Sequence, residues 1–98
     1  MDFFLKNVKE TLEAINKLME NNITIVNTKR IRRCYNIKSS NRSKINFIWR
    51  SLDFLAQEGV LEENGVLSPK SYKISVSDKI NIEEFISELD RKKNKRKE

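Results

Sequence analysis

Arg50-Ser51-Leu52-Asp53-Phe54-Leu55-Ala56-Gln57-Glu58-Gly59-Val60-Leu61 is the stretch whose reading decides the fold. Leu52 and Leu55 stand one helical turn apart, and Ile45 and Ile48 continue their stripe upstream at steps of three and four. This spacing predicts an amphipathic helix over residues 42–58. Trp49 and Ala56 flank the stripe, which places Trp49 at the core edge, where packing is a better reading than base stacking. Advancing about 100° per residue, the opposite face holds Ser43, Asn46, Arg50, Asp53 and Gln57. Gly59 is the expected left-handed residue just past the helix. Val60 and Leu61 then turn directly into a strand, read as Val60–Glu63.

Working upstream, Ser39-Ser40-Asn41 supplies N-cap candidates for that helix. A shorter helix precedes it, capped by Asn27 or Thr28 and running to about Tyr35. Ile31 and Tyr35 are expected to face inward, with Cys34 beside them as a small buried hydrophobe. Asn36 stands where this helix ends, and asparagine tolerates the left-handed conformation almost as glycine does. Ile37 then returns to the core. Before it, Ile23-Thr24-Ile25-Val26 is β-branched and suits a strand or an extended connection. The chain opens with a helix over 2–20, striped by Phe4, Val8, Leu12, Ile15 and Met19 and widened by Leu5 and Leu18. Asp2 is its expected cap and Asn21-Asn22 its stop.

Downstream, Asn64-Gly65 and Ser68-Pro69-Lys70 are turn signals. They predict a loop of about seven residues between the first strand and a second, Ser71–Val76, whose Tyr72, Ile74 and Val76 alternate with polar residues. Asn81 with Glu84 forms a box-like cap for a last helix striped by Ile82, Phe85, Ile86 and Leu89. Residues 91–98 contain no apolar side chain and read as a disordered basic tail following a single domain over 1–90.

Composition limits what such a chain can do. It has 98 residues, 38% hydrophobic and 35% charged, so any core is small. One Cys and no His leave no zinc-finger ligand set and remove the commonest general base. Gly59 and Gly65 are the only glycines, too few for a phosphate-cradling loop. No apolar run is long enough to span a bilayer, and Met1-Asp2 is unlike the basic front of a secretory signal. The sequence therefore predicts a reduced, cytoplasmic binding module with no cofactor, no metal and no enzymatic activity. The net charge of +6 is unevenly placed. Residues 27–50 hold Lys29, Arg30, Arg32, Arg33, Lys38, Arg42, Lys44 and Arg50 without one carboxylate, while residues 51–63 and 77–90 are each −4. Such segregation is the footprint of a polyanion-binding face.

The residue 50–61 run resembles the winged helix-turn-helix family: an Arg, a Leu two later, a second Leu three beyond it, then Gly and two apolar residues. Ile31-Arg32-Arg33-Cys34-Tyr35-Asn36-Ile37 is similar to the family's second helix and turn. The likeness covers about residues 5–76 and has the flavour of small stand-alone archaeal, viral or plasmid regulators. It implies an α+β, mostly α fold: a three-helix core, a two-stranded β-wing and here an additional C-terminal helix. The spacing from Ile37 to Leu52 is wider than the family pattern. Either the turn is longer or the third helix starts about a turn and a half earlier, and the stripe through Ile45 and Ile48 favours the long helix.

By this resemblance the third helix enters a DNA major groove. Arg42, Ser43 and Asn46 are then base-contact candidates, with Asn46 suited to adenine and Arg42 to guanine or phosphate. Arg50 contacts phosphate or guanine, or else pairs with Asp53 or Glu58. Lys29, Arg30, Arg32 and Arg33 contact backbone, with Lys38 and Lys44 in the same basic block and Lys70 and Lys73 on the wing. Phe47 and Phe54 lie off the main stripe, either packing under the wing or against Phe3 and Phe4, or forming a protein interface. Ile82, Phe85, Ile86 and Leu89 either close the core or pair two chains. The expected function is sequence-specific binding of double-stranded DNA by a nucleoid-associated transcription regulator, as a homodimer through the last helix. The alternatives are an adaptor subunit of a replication or transcription complex and an architectural protein that coats DNA.

Overall fold

The computed structural model describes residues 3–67 and 70–96. The order of elements is α1 (Phe3–Glu20), β1 (Ile25–Val26), α2 (Thr28–Cys34), α3 (Arg42–Gln57), β2 (Leu61–Leu67), β3 (Lys70–Ile74) and α4 (Ile82–Arg96). The result is an α+β fold, mostly helical, compatible with a winged-helix layout. No helix among the described residues is long and apolar enough to cross a membrane.

Asparagine sets most of the helix ends. Asn27, Asn41 and Asn81 cap α2, α3 and α4, their Oδ1 atoms accepting from the N–H groups of Arg30, Lys44 and Glu84 at 2.9, 3.2 and 3.2 Å. The C-termini of α1, α2 and α3 share one device. Asn22, Asn36 and Gly59 take φ of 60°, 53° and 85°. In each case the next residue, Ile23, Ile37 or Val60, donates its N–H back to Leu18, Arg32 or Leu55 at 2.9–3.0 Å. This is the Schellman closure, and it sends an apolar residue back toward the core three times. Asp2, expected to cap α1, lies outside the described residues.

Two antiparallel pairings place β3 between β1 and β2, with Tyr72 opposite both Val26 and Glu63. The hairpin differs from the expected loop of about seven residues. β2 continues to Leu67, which stands opposite Lys70, so the strands come together much nearer the tip. Asn64-Gly65 lies inside β2, where Gly65 has φ 79° and the register shifts between Glu63 and Leu67. A positive φ in mid-strand makes a bulge as readily as a turn, because both use the same glycine freedom. Ser68 and Pro69, the second turn signal, lie outside the described residues. β3 ends at Ile74, and Ser75 leaves the strand by donating its hydroxyl to the carbonyls of Gly59 and Val60.

The core joins Leu5, Val8, Leu12 and Ile15 of α1 to Ile48, Leu52 and Leu55 of α3, with Ile31 from α2. Val26, Leu61, Tyr72 and Ile74 of the sheet cover one side, and Ile86 and Leu89 of α4 complete it. Asn16 fixes the approach to α4: it donates to the Ile80 carbonyl at 3.0 Å and accepts the Ile80 N–H at 2.9 Å. α4 runs on to Arg96, so residues 91–96 are helical where the composition predicted a tail from Arg91. Helix propagation past Leu89 needs no apolar partner, since Arg and Lys are good helix formers.

Two expectations about α2 are corrected. Tyr35 is 38% exposed rather than inward, and its hydroxyl donates to the Glu10 carbonyl of α1 at 2.6 Å. Cys34 is half-buried. With seven residues in α2, Ile31 is its single buried side chain, and the Schellman turn begins before a second one can point inward.

Candidate nucleic-acid interface

α3 is the element that carries the candidate face. Its buried side is held by Ile48, Ser51, Leu52 and Leu55, which rotates Arg42, Ser43, Asn46 and Arg50 outward, all four exposed. None of these four side chains has a hydrogen bond or ion pair to another described residue. Arg50 is therefore not paired with Asp53 or Glu58. Arg42, Asn46 and Arg50 follow at steps of four, so they climb the helix about 6 Å at a time.

The neighbouring cations fall into two groups. Lys29, Arg30 and Arg33 of α2 and Lys38 of the connector are exposed. Arg32 is half-buried, and its Nη1 reaches back to the Ile37 carbonyl at 3.4 Å, so part of its donor set serves the turn between the helices.

Lys44 is a correction. Its ammonium sits 2.6 Å from Glu10 Oε2 and 2.6 Å from Asn7 Oδ1 of α1, with 26% of the side chain exposed. The helical angle gives the reason: Lys44 projects between Ser51 and Leu55, on the buried side of α3. Its partner Asn7 is almost fully buried, donates to the Phe3 carbonyl at 2.8 Å, and accepts the Lys44 ammonium with its remaining oxygen. Asn7 was not singled out in the sequence. The available signal was its place beside the α1 stripe, one turn before Thr11, which is also buried and bonds the Asn7 carbonyl at 2.9 Å.

On the hairpin, Lys70 is likewise engaged. Its ammonium lies 3.5 Å from Asp53 Oδ1 of α3 and 3.0 Å from Glu63 Oε1 of β2. It also stands over the rings of Trp49 and Tyr72, 5.9 and 5.5 Å from their centroids. The Glu63 carboxylate holds the Lys70 pKa above the usual lysine range. Lys70 thus joins the hairpin to α3 instead of presenting a free charge. Lys73 is exposed on β3. The Tyr72 hydroxyl is buried without a hydrogen-bond partner among the described residues, and burial raises its pKa.

Of the residues read as a protein interface, Phe54 and the α4 stripe pack against the core, while Phe47 packs on Phe3, itself 62% exposed. Phe47 packs edge-on against Phe3 with centroids 4.8 Å apart, and Phe54 against Phe4 at 5.4 Å. Ile86 and Leu89 are buried in the core, and Ile82 and Phe85 are half-buried against it. The described exposed positions of α4 are Glu83, Glu84, Ser87, Glu88, Asp90, Arg91 and Lys92, an almost wholly charged surface.

Trp49 is a further residue whose place differs from the expectation. It is 46% exposed rather than packed at the core edge, and it lies on the side of the polar face that meets the hairpin. The α3 surface therefore runs from Trp49 through Arg42, Asp53, Asn46 and Arg50 to Ser43, and ends at the Phe47–Phe3 pair. Comparison with known protein families, with curated proteins and with solved structures finds no match for this chain.

Proposed function

We propose that this chain is a winged helix-turn-helix protein that binds double-stranded DNA through α3 and acts as a small sequence-specific regulator. The observation that carries the reading is the set Arg42, Ser43, Asn46 and Arg50: exposed on one helix face and free of side-chain partners among the described residues. Polar side chains with unused donors on a face flanked by the exposed cations Lys29, Arg30, Arg33 and Lys38 suit base edges and phosphates together. A helix about 10–12 Å across fits a major groove about 12 Å wide. The adaptor alternative calls on Phe47, Phe54 and the α4 stripe; Phe54 and the stripe pack against the domain's own core, which leaves Phe47 with the exposed Phe3 as its apolar surface, and this small area favours the DNA reading.

The test is selection from random duplex DNA at two salt concentrations, followed by Asn46→Ala on the preferred site. Asn46 carries no charge, so a lost base contact should cost about 1–3 kcal/mol on the preferred duplex and far less on a scrambled one. Equal losses on both duplexes would support the architectural alternative. No loss on either, in a folded variant, would remove this face of α3 from DNA binding.

A further inference from the structure

We propose that Trp49 is a direct DNA contact, its indole lying against a backbone deoxyribose at the hairpin side of the groove with its N–H donated to a phosphate oxygen. The inference rests on the DNA-binding reading of α3 and adds a residue to it. Three observations converge on this side chain. Trp49 is one of three large hydrophobics left exposed among the described residues, with Phe3 and Tyr35, and is 46% open. Phe3 is engaged with Phe47, and Tyr35 with the Glu10 carbonyl. The Trp49 indole N–H has no partner among the described residues, and tryptophan can only donate. A donor with an apolar body suits an acceptor-rich sugar–phosphate strand.

Its orientation points the same way. Trp49 is three residues after Asn46 and four before Asp53, on the edge of the polar face rather than at its centre. With α3 in a groove, the centre meets bases and the edge meets a strand. The Lys70 ammonium, already paired with Asp53 and Glu63 and so not available to a phosphate, stands over the ring on the hairpin side. The indole contributes no charge of its own, and a contact to the sugar–phosphate strand is independent of sequence.

Trp49 is the chain's one tryptophan, so the wild-type full chain reports on itself. A labelled duplex and tryptophan emission with acrylamide quenching are followed in the same titration. Emission should shift and quenching should fall in step with duplex binding. Trp49→Ala, shown folded by circular dichroism, should bind about tenfold more weakly to preferred and scrambled duplexes alike, a loss within reach of burying part of an aromatic ring. Its salt slope should stay unchanged, because no phosphate charge is lost. Trp49→Phe, which keeps a ring and lacks the N–H, should fall between the two and serves if the alanine variant does not fold. Duplex binding that leaves tryptophan quenching unaltered would overturn the proposal for Trp49 and leave α3 as the reader. Absence of any duplex binding by the wild type would overturn the DNA reading itself, and this assignment with it.

Discussion

Lys44 and Arg50 are cations on the same helix, and about 600° of rotation separates a partnered side chain from an unpartnered one. Lys44 fills a polar node with Glu10 and Asn7, whereas Arg50 has no partner among the described residues. Lys44→Ala leaves a mostly buried carboxamide oxygen and a carboxylate without their donor, so denaturant unfolding should show a loss of about 1–3 kcal/mol. Arg50→Ala should change stability by no more than about 0.5 kcal/mol, yet lower the slope of log affinity against log salt by about one unit. A stability loss at Arg50 equal to that at Lys44 would contradict the assignment of the two. Tyr35 offers a pH test. Burial, with Glu13 and Glu10 nearby, pushes its phenol up to about 12 from an ordinary value of 10.0, and burial also raises Tyr72. The neutral phenol is the form the fold favours. Its stabilising contribution is fully present below pH 10 and is lost as the pH rises toward 12. Phenolate absorbance should therefore appear later in the native chain than in denaturant. Tyr35→Phe should weaken that alkaline destabilisation, since the hydroxyl bond to Glu10 is gone.

At the scale of the element, the helices are delimited by single residues in the left-handed region. Gly59 has φ +85° and open space around its missing side chain, so Gly59→Ala meets no clash and feels only backbone strain. That strain should cost about 1–2 kcal/mol, seen as a lower denaturant midpoint at unchanged slope. Asn36→Gly should be neutral or mildly stabilising at φ 53°, and Asn36→Val should lose at least as much as Gly59→Ala. A neutral Asn36→Val would show that the α2 terminus is not closed by this turn. These ends were legible in the sequence because each is a local signal: a cap or left-handed residue acts on amides within one turn. The hairpin was less legible, since Asn64-Gly65 promises a positive φ without saying whether it turns the chain or bulges a strand. The pairing of Leu67 with Lys70 decides for the bulge.

For the whole molecule, α4 is the element whose role depends on everything else. Its stripe could have paired two chains, but Ile86 and Leu89 are buried in the domain's own core and its described exposed positions are charged or polar. Phe85→Glu with Leu89→Glu should accordingly lower the unfolding midpoint severely, because it buries charge against Leu and Ile. A folded, monomeric double variant derived from a dimeric wild type, measured by sedimentation, would reverse this reading. The hairpin depends on α3 in the same way. Lys70→Met should loosen β2–β3 from α3 and leave Asp53 as an unneutralised carboxylate beside the proposed DNA-binding face. On the proposed reading duplex affinity should fall although the Lys70 ammonium is engaged by Asp53 and Glu63, and Asp53→Asn in the same chain should recover part of the loss.

The periods of three to four and of two, the short stretches that hold the helix caps, the glycine at 59 and the acid-free stretch over 27–50 were all determined by the sequence alone. Each depends on neighbours within a turn or a strand, where geometry is fixed by the backbone. Tertiary structure alone decided which members of the basic stretch remain available. Glu10 and Asn7 reach Lys44 across 34 and 37 residues, Asp53 and Glu63 converge on Lys70 from two different elements, and Phe3 and Phe4 cover Phe47 and Phe54 from the far end of the core. A charge is free or spent according to what the folded chain brings within about 4 Å of it, and that distance is set by how helices cross.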